Sequence, residues 1–560
     1  MRPSLRLAVP LLVVALLLGA LAAPAHAATS VAPSKAVWPL PNVLPPKYKV
    51  TSNAALRIAL ASPTGRKLRA DYPGIRAQVY IAGINKGIGY WSVEFEGKKM
   101  ALGEIKVNGV TGTVVGSYTG WQAENALTRG HMAGLADSWW LWLPLCLLFV
   151  APFFDPRRPF RLLHLDLLML LAFGVSHLFF NQGHVLASVP LVYPVLGYFL
   201  ARMLWAGFRP RVRREPLIPY ARSRWLVAGL VLLVALRIFV NVANNQVIDV
   251  GYAGVAGADR IEHKQPLYVA NDAHGDTYGP VNYIAYVPFE LAFPNHGEWD
   301  SLPAAHAASI FFDLLVIAAL FMVGRRLRAG SEGRRLGLAL AFAWAAYPYT
   351  MFALATNTND ALVAGLLLLA FLAIRSPAAS GGWLGLGAAA KFAPLALAPL
   401  FAVGTGDRRL RSLALFGLAL ITVIAVALGV YVPRSSFHDF WASTISYQVH
   451  RVSPFSVFTL YPSLDWLGPV LWAGAALLAV LVAFVPRRRE PVQISALAAA
   501  VIIATQIPAA HWFYFYIVWF APFVLIALFA AHEERRPDPE IIVTRIATRD
   551  DAPVGALEPA

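Results

Sequence analysis

Charged residues are scarce in this chain, and cysteine is almost absent. Asp, Glu, Lys and Arg make up only 14% of the 560 residues, against 58% hydrophobic residues. This balance excludes an ordinary soluble globular protein and indicates a polytopic membrane protein. The one cysteine, Cys146, lies in an apolar segment. An intramolecular disulfide and a metal site built from several cysteines are therefore excluded.

Acidic residues are fewer than basic residues, which leaves a net charge of +16. A basic balance also occurs in nucleic-acid-binding proteins, but here the arginines cluster in short loops between apolar segments. That is the positive-inside pattern of membrane proteins. Membrane lipids are therefore the expected surroundings, and nucleic acid is not an expected partner.

The first 27 residues have the pattern of a secretory signal peptide. Arg2 and Arg6 precede an apolar run from Leu7 to Leu21, and a small-x-small cleavage site follows at residues 25–27. An uncleaved first span is the alternative. The predicted organisation comprises five parts: a signal peptide (1–27), an extracytoplasmic domain (28–137), accessory transmembrane helices (138–224), a transmembrane catalytic domain (225–531) and a disordered cytoplasmic tail (532–560).

Residues 28–137 are polar and predict a small α+β domain. Residues 54–70 can form one helix, and Trp91, Val93 and Phe95 alternate with polar residues as in a half-buried strand. The stretches ALGEIKV and TVVGSYT predict two more strands joined by an NGVTG turn. This order resembles a PepSY-like module, which implies a binding or regulatory role.

Twelve apolar segments follow, several of them near the ~20 residues that a membrane span requires. They cover residues 138–154, 162–180, 185–205, 225–243, 303–324, 336–349, 361–374, 382–403, 411–432, 467–485, 492–507 and 513–531. The flanking arginines predict about 11 crossings in an all-α fold, with the N-terminal domain outside and the C-terminus in the cytoplasm.

One segment conflicts with a simple alternation of sides. Arg375 and Arg408 are both predicted to be cytoplasmic, yet the apolar segment 382–403 lies between them. A single crossing cannot return to its own side, so a re-entrant pair of half-helices is predicted, broken between Lys391 and Pro394. Such a break survives at membrane depth only where protein buries it or where it lines a cavity. A plain span with a misread flank is the alternative.

The chemically distinctive polar residues fall on the predicted outer side. Asp249 lies where an apolar helix ends in a polar loop, and a membrane-interface carboxylate is often functional. Ending that helix is its alternative role. Asp259 could belong to the site or simply pair with His263. Asp360 could act in the site or stabilise the start of a helix.

Two predicted cations lie near these carboxylates. Lys391 sits in an otherwise apolar half-helix and needs a partner, which could be a phosphate or a carboxylate from another span. His511 begins the last span within a belt of aromatic residues, and could bind phosphate or be a bystander. No regular spacing of metal ligands occurs in the HGDTYGP stretch, so no metal site and no cofactor are predicted, although a divalent metal is not excluded.

These motifs resemble, as a set, the integral-membrane GT-C glycosyltransferases. Asp249 opens the motif D-x-x-Y at the first large outer loop, and P-L-Y follows. The stretches TNTNDALVAGLLLLAF, GLGAAAKFAPLALAPLF and HWFYFYIVWF are most similar to glycosyltransferase family 87, the polyprenyl-phosphate-mannose-dependent type. The resemblance extends over residues 225–530.

The resemblance implies a GT-C-like fold and an inverting sugar transfer on the outer face of the bacterial cell membrane. A sugar, expected to be mannose, would pass from a polyprenyl phosphate to a lipid or glycan acceptor of the cell envelope. Asp249 would be the general base. Lys391 and His511 would neutralise the donor phosphate. The predicted topology, rather than a motif match, adds Arg451 as an outer-loop cation for the same phosphate. The residues predicted to support the acceptor side are Tyr252, Asp259, Tyr278 and Asp360.

Two other functions remain open at this stage. A transporter or flippase would fit a broken helix that carries Lys391. A non-catalytic sensor or scaffold would fit the N-terminal domain. A transporter needs charged residues along a path through both leaflets, whereas a transferase needs only an outer cavity. The positions of Asp249, Asp360, Lys391 and His511 distinguish these functions. If the four residues lie in one cavity, the transferase is favoured, and if they are scattered, it is weakened.

Overall fold

A computed structural model describes most of the chain between residues 44 and 533. The described residues are 44, 48–85, 88–96, 101–120, 135, 138–181, 184–244, 247–268, 278–295, 302–406, 409–433, 436–446, 448 and 455–533. The predicted signal peptide, the predicted C-terminal tail from residue 534 and the predicted phosphate ligand Arg451 lie outside them.

The N-terminal unit is a four-stranded antiparallel sheet with two short helices packed on one face. Its elements are α1 (Ser52–Ala61), α2 (Pro63–Asp71), β1 (Arg76–Asn85), β2 (Ile88–Glu96), β3 (Ala101–Asn108) and β4 (Val114–Thr119). The strands are adjacent in chain order. The alternating side chains of Trp91, Val93 and Phe95 are buried in its core, as predicted. A small α+β domain is therefore present, while its resemblance to a PepSY-like module stays a prediction.

Two details of this unit differ from the sequence prediction. The single helix expected over residues 54–70 is two helices, because Ser62 caps the second one and Pro63 occupies its first position. The Ser62 hydroxyl accepts the N–H of Gly65 at 3.0 Å. Strand β1 was missed, because its sequence RAQVYIAGIN lacks a clear alternation of apolar and polar residues.

The rest of the described chain is helical. Its helices are α3 (Trp139–Val150), α4 (Leu162–Leu171), α5 (Phe173–Asn181), α6 (Val185–Phe208), α7 (Ser223–Asn244), α8 (Asp249–Glu262), α9 (Pro280–Ile284), α10 (Val287–Ala292), α11 (Pro303–Leu327), α12 (Gly330–Ala346), α13 (Pro348–Ala355), α14 (Asp360–Leu372), α15 (Pro377–Ala390), α16 (Ala398–Val403), α17 (Leu410–Tyr431), α18 (Phe437–Phe440), α19 (Val457–Leu460), α20 (Leu467–Leu481), α21 (Pro491–Gln506) and α22 (Ile517–Phe529).

Five stretches of helix are long and apolar enough to cross a membrane. They cover Leu162–Asn181, Val185–Phe208, Ser223–Ala243, Pro303–Leu327 and Leu410–Tyr431. The described residues contain six shorter apolar helical stretches and one bent pair, α12 and α13. A helical membrane protein is therefore confirmed, while the number of about 11 crossings stays a prediction.

The segment predicted at 336–349 is longer than expected and bent. Helices α12 and α13 meet at an angle of 59° around Pro348. Proline lacks an N–H and disrupts a continuing helix at such a point. Arg237 of α7 holds the bend, since its guanidinium donates to the carbonyl oxygens of Ala345 and Thr350, each at 3.1 Å. The same guanidinium is paired in the core with Asp313 of α11.

The predicted break in segment 382–403 is present, and the chain reverses there. Near its start, Ser380 of α15 donates to the carbonyl of Ala370, close to the end of α14. Helix α15 then ends at Lys391, whose ammonium lies 2.6 Å from Asp360 at the opposite end of α14. A short 3-10 helix and α16 lead back, so that a Cβ on Gly404 would lie 3.1 Å from the carbonyl oxygen of Ile374. The first arm therefore begins near Ile374 and the second arm ends near it, as in a re-entrant hairpin with its tip at Lys391.

The accessory helices dock onto the last helices of the chain. The Tyr514 hydroxyl lies 2.7 Å from the Ser176 hydroxyl on α5 and 2.9 Å from the Ser188 hydroxyl on α6. The Tyr193 hydroxyl on α6 accepts the N–H of Val457 at 3.0 Å. All of these serine and tyrosine contacts are intramolecular hydrogen bonds in an apolar setting, so they fix the accessory helices against residues 455–529.

Candidate active site

The tip of the re-entrant hairpin is a cation enclosed by aromatic rings. Lys391 ends α15 because its backbone is extended, with φ −140° and ψ 139°. Its ammonium pairs with Asp360 at 2.6 Å, and the Trp519 indole N–H donates to the same carboxylate oxygen at 2.8 Å. The ammonium also lies 5.1 Å from the ring centre of Tyr278 and 5.3 Å from that of Trp519. These distances are typical of cation–π contacts.

Of the two partners considered for Lys391, the structure supplies the carboxylate. Asp360 is 2% exposed, and its carboxylate accepts from Lys391 and Trp519 rather than from the first N–H groups of α14. Asp360 also lies in the first turn of α14, where a carboxylate stabilises the start of a helix. The side chain of Lys391 retains 10% exposure.

Asp249 is the first residue of α8, which corrects its predicted place at the end of the preceding helix. It is exposed, and the N–H of Val250 donates to its carboxylate at 2.9 Å. Burial raises the pKa of the Tyr278 hydroxyl, and the negative charges of Asp249 and Asp360 raise that pKa further. Asp249 therefore lies within electrostatic range of the ring that covers Lys391. Tyr252 follows one helical turn later, on the same side of α8.

His511 is connected to the same place through a series of rings. Its imidazole packs edge-on to Tyr516, with 6.1 Å between ring centres. Tyr516 stacks on Trp519 at 4.7 Å, and Trp519 covers Lys391. His511 also packs against Phe455 at 5.5 Å. The structure thus brings Tyr278, Asp360 and Lys391 into contact, with Asp249 and His511 on their periphery.

Asp259 pairs within its own segment rather than with the Lys391–Asp360 pair. It lies ten residues beyond Asp249, which corresponds to about 15 Å along a helix. Its carboxylate lies 3.3 Å from His263 Nδ1. The backbone carbonyl and the charge of Asp259 raise the pKa of His263. The pairing considered as the alternative for Asp259 is therefore observed, while its supporting role stays a prediction.

Several buried polar residues near the cluster were not predicted. The turn of residues 356–360, expected as an outer loop, is buried, and Asn357 in it has a positive φ of 57°. Asn241 and His306, from α7 and α11, contact this turn. The sequence did contain a signal for these residues, since amide and imidazole side chains occur within its apolar spans. Such groups rarely lie in a membrane without a partner, so a buried polar contact could have been predicted there.

No group of three or more His, Cys, Asp or Glu side chains that could hold a metal ion occurs within the described part of the chain. The described side chains of this region are carboxylates, one ammonium, one imidazole and several aromatic rings. A carboxylate can remove a proton, and a cation can stabilise an anion.

The fold and this cluster together define a helical membrane protein with a charged, aromatic-lined site at the tip of a re-entrant hairpin. Residues 277–510 match the sequence model of glycosyltransferase family 87. The predicted resemblance to that family is thereby confirmed, and the match indicates a membrane glycosyltransferase. It includes Tyr278, Asp360 and Lys391, but begins after Asp249 and ends before His511. No curated protein matches the chain in a sequence search.

Proposed function

We propose that the protein transfers a sugar, mannose, from a polyprenyl phosphate to a lipid or glycan acceptor at the extracytoplasmic face of the bacterial cell membrane. The observation that carries the proposal is the position of Lys391. Its ammonium is held at a hairpin tip against two aromatic rings and the carboxylate of Asp360. The proposed transfer requires a cation at the donor phosphate, with the attacking hydroxyl of the acceptor close by.

Asp249 is the proposed general base. The acceptor hydroxyl oxygen attacks the anomeric carbon of the sugar while Asp249 takes the hydroxyl proton. The bond between that carbon and the phosphate oxygen breaks, and its electron pair leaves with the polyprenyl phosphate. Attack from the opposite face inverts the sugar, so a β-linked donor gives an α-linked product. Asp249 suits this role because it is exposed and lies on the first turn of a helix rather than in the core.

Lys391 is the proposed ligand of the departing phosphate. Asp360 already neutralises its charge, so the phosphate must share the ammonium with Asp360. An ammonium has three N–H donors, and the described contact with Asp360 uses one carboxylate oxygen. Trp519 and Tyr278 limit the positions that the ammonium can occupy. Desolvated cations stabilise a developing anion far better than cations in water.

His511 and Arg451 are proposed as further cations for the phosphate, and Tyr252 and Tyr278 as supports for the acceptor. The rings of Tyr516 and Trp519 separate His511 from Lys391. A phosphate that contacts both cations would therefore have to lie at the edge of these rings. Tyr252 shares a helix side with Asp249. No cofactor is proposed.

The test is a transfer assay in membranes that contain the full-length protein. Radiolabelled polyprenyl-phosphate mannose is supplied, and labelled lipid and glycan products are separated. We expect Asp249→Asn to lower transfer by about 10²–10⁴-fold, the usual contribution of a general base. Asp259→Asn is the matched control, because it removes a half-buried carboxylate of the same helix that pairs with His263 rather than with Lys391. It should retain transfer within about twofold of the wild type, as surface substitutions usually do.

The outcomes separate the parts of the proposal. Equal transfer by the wild type and Asp249→Asn would exclude Asp249 as the base. Equal losses in Asp249→Asn and Asp259→Asn would indicate an effect on α8 as a whole. If the wild type transfers no mannose but does transfer another sugar from the same lipid carrier, the sugar is wrong and the donor class is right.

A further inference from the structure

A buried turn connects the helix of Asp249 to the hairpin tip of Lys391. Residues 356–360, the sequence TNTND, are at most 5% exposed. Asn357 within this turn has φ 57°, in the left-handed region that side chains other than glycine rarely adopt. Asparagine is the usual exception, because its short amide can form local hydrogen bonds. The turn ends at Asp360, the partner of Lys391.

Three polar side chains from different parts of the chain hold this turn. The amide nitrogen of Asn241 donates to Asn357 Oδ1 at 2.8 Å and to the Leu354 carbonyl at 2.7 Å. His306 Nδ1 lies 2.9 Å from Asn241 Oδ1, within hydrogen-bond distance. The Asn357 amide nitrogen lies 3.2 Å from the same ring nitrogen. Asn241, His306 and Asn357 are each at least nine-tenths buried.

On its other side, the turn supports the first turn of α8. The N–H of Ile248 donates to the Thr356 carbonyl at 3.2 Å. Gly251 packs so closely that a Cβ there would lie 2.4 Å from the Asn357 carbonyl oxygen. Asp249 lies between Ile248 and Gly251, so both contacts fix the backbone that carries its carboxylate. The conformation at Asn357 therefore sets where Asp249 sits relative to Asp360.

We propose that Asn241, His306 and Asn357 are positioning residues, which hold the left-handed turn and thereby set the spacing between Asp249 and the Lys391–Asp360 pair. This inference rests on the proposed function in one respect only, the role of Asp249 as base. None of the three residues needs to touch substrate. A displacement of about 1 Å in a reacting group can lower a rate about 100-fold, so loss of this network should affect turnover more than binding.

The test compares two substitutions at His306 and two at Asn357. His306→Asn keeps a polar amide, with both a donor and an acceptor, near the position of Nδ1 and should behave like the wild type, whereas His306→Leu removes every polar atom there. Asn357→Gly keeps the left-handed backbone, whereas Asn357→Ala disfavours it. For His306→Leu and Asn357→Ala we expect kcat to fall about 100-fold, with the KM for the lipid donor unchanged within about threefold, since neither residue contacts Lys391, the proposed phosphate ligand.

Amide hydrogen exchange gives a second readout that does not depend on activity. Peptides covering residues 248–255 should exchange at least about tenfold faster in His306→Leu and Asn357→Ala, because the backbone contacts at Ile248 are lost. His306→Asn should exchange as the wild type does, and Asn357→Gly should lie between Asn357→Ala and the wild type. The exchange of distant spans, such as 410–431, should not change.

Three results would overturn the proposal. The first is unchanged exchange over residues 248–255 in both His306→Leu and Asn357→Ala. The second is an equal effect of His306→Asn and His306→Leu. The third is faster exchange in all spans, which indicates a general loss of stability. If the wild type transfers no sugar, the proposed function fails, and the exchange data still decide whether the network holds α8.

Discussion

Removal of one charge from the Lys391–Asp360 pair should destabilise the protein strongly. The pair is almost enclosed, with 10% and 2% of the two side chains exposed, and the nitrogen and oxygen lie 2.6 Å apart. Loss of one partner leaves the other charge buried without compensation, which typically costs about 3–5 kcal/mol. Asp360→Asn isolates this charge effect, because its amide oxygen can still accept the Trp519 N–H. Lys391→Met keeps most of the apolar stem.

The measurement is a double-mutant cycle of SDS-induced unfolding in mixed micelles. Each single variant should lose about 3–5 kcal/mol. The double variant, Asp360→Asn with Lys391→Met, has no buried charge left, so its loss should be smaller than the sum by about 2–3 kcal/mol, at the upper end of measured coupling energies. Losses that add within about 0.5 kcal/mol, the usual range for independent sites, would refute the reasoning.

Three further predictions follow from other contacts. Gly251→Ala should lower transfer about 100-fold, because its Cβ would lie 2.4 Å from the Asn357 carbonyl oxygen; Gly382→Ala, with nothing within 4 Å, should retain full transfer. Burial and the neighbouring Glu262 raise the pKa of Glu290. The protonated carboxyl therefore favours the folded state at low pH, and this contribution is lost as pH rises from the ordinary glutamate pKa to the raised one. Glu290→Gln should raise Tm at pH 7.5 but not at pH 4. Tyr514→Phe should cost about 1–3 kcal/mol in SDS unfolding, since it leaves two buried serine hydroxyls without that partner.

Much of the membrane architecture could be predicted from local sequence. The arginines near residues 375 and 408, with Pro394, predicted a hairpin whose arms return to one side, and the chain reverses at Lys391 as expected. Charge near membrane ends and proline within an apolar run act on the chain locally, so their effect can be inferred without tertiary contacts. The same holds for the alternating strand that contains Trp91.

The pairings within the site could not be predicted in the same way. Asp360 and Lys391 are 31 residues apart, and the sequence allowed either a phosphate or a carboxylate beside the lysine. Asp259 and His263 are four residues apart, so their pairing could be foreseen as an alternative. The burial of Asn357 depends on Asn241 and His306, which come from separate helices, and no local pattern marks such an encounter.

The docking of Tyr514 onto the accessory helices has a consequence for the order of biosynthesis. Tyr514 is 338 residues from Ser176 in the sequence. Until residue 514 has been inserted, the hydroxyls of Ser176 and Ser188 have each other and the Ser188 carbonyl as partners, but not the tyrosine. The contact that joins helices α5 and α6 to residues 455–529 therefore forms late. A chain truncated before residue 514 would keep the serine pair and lose this connection.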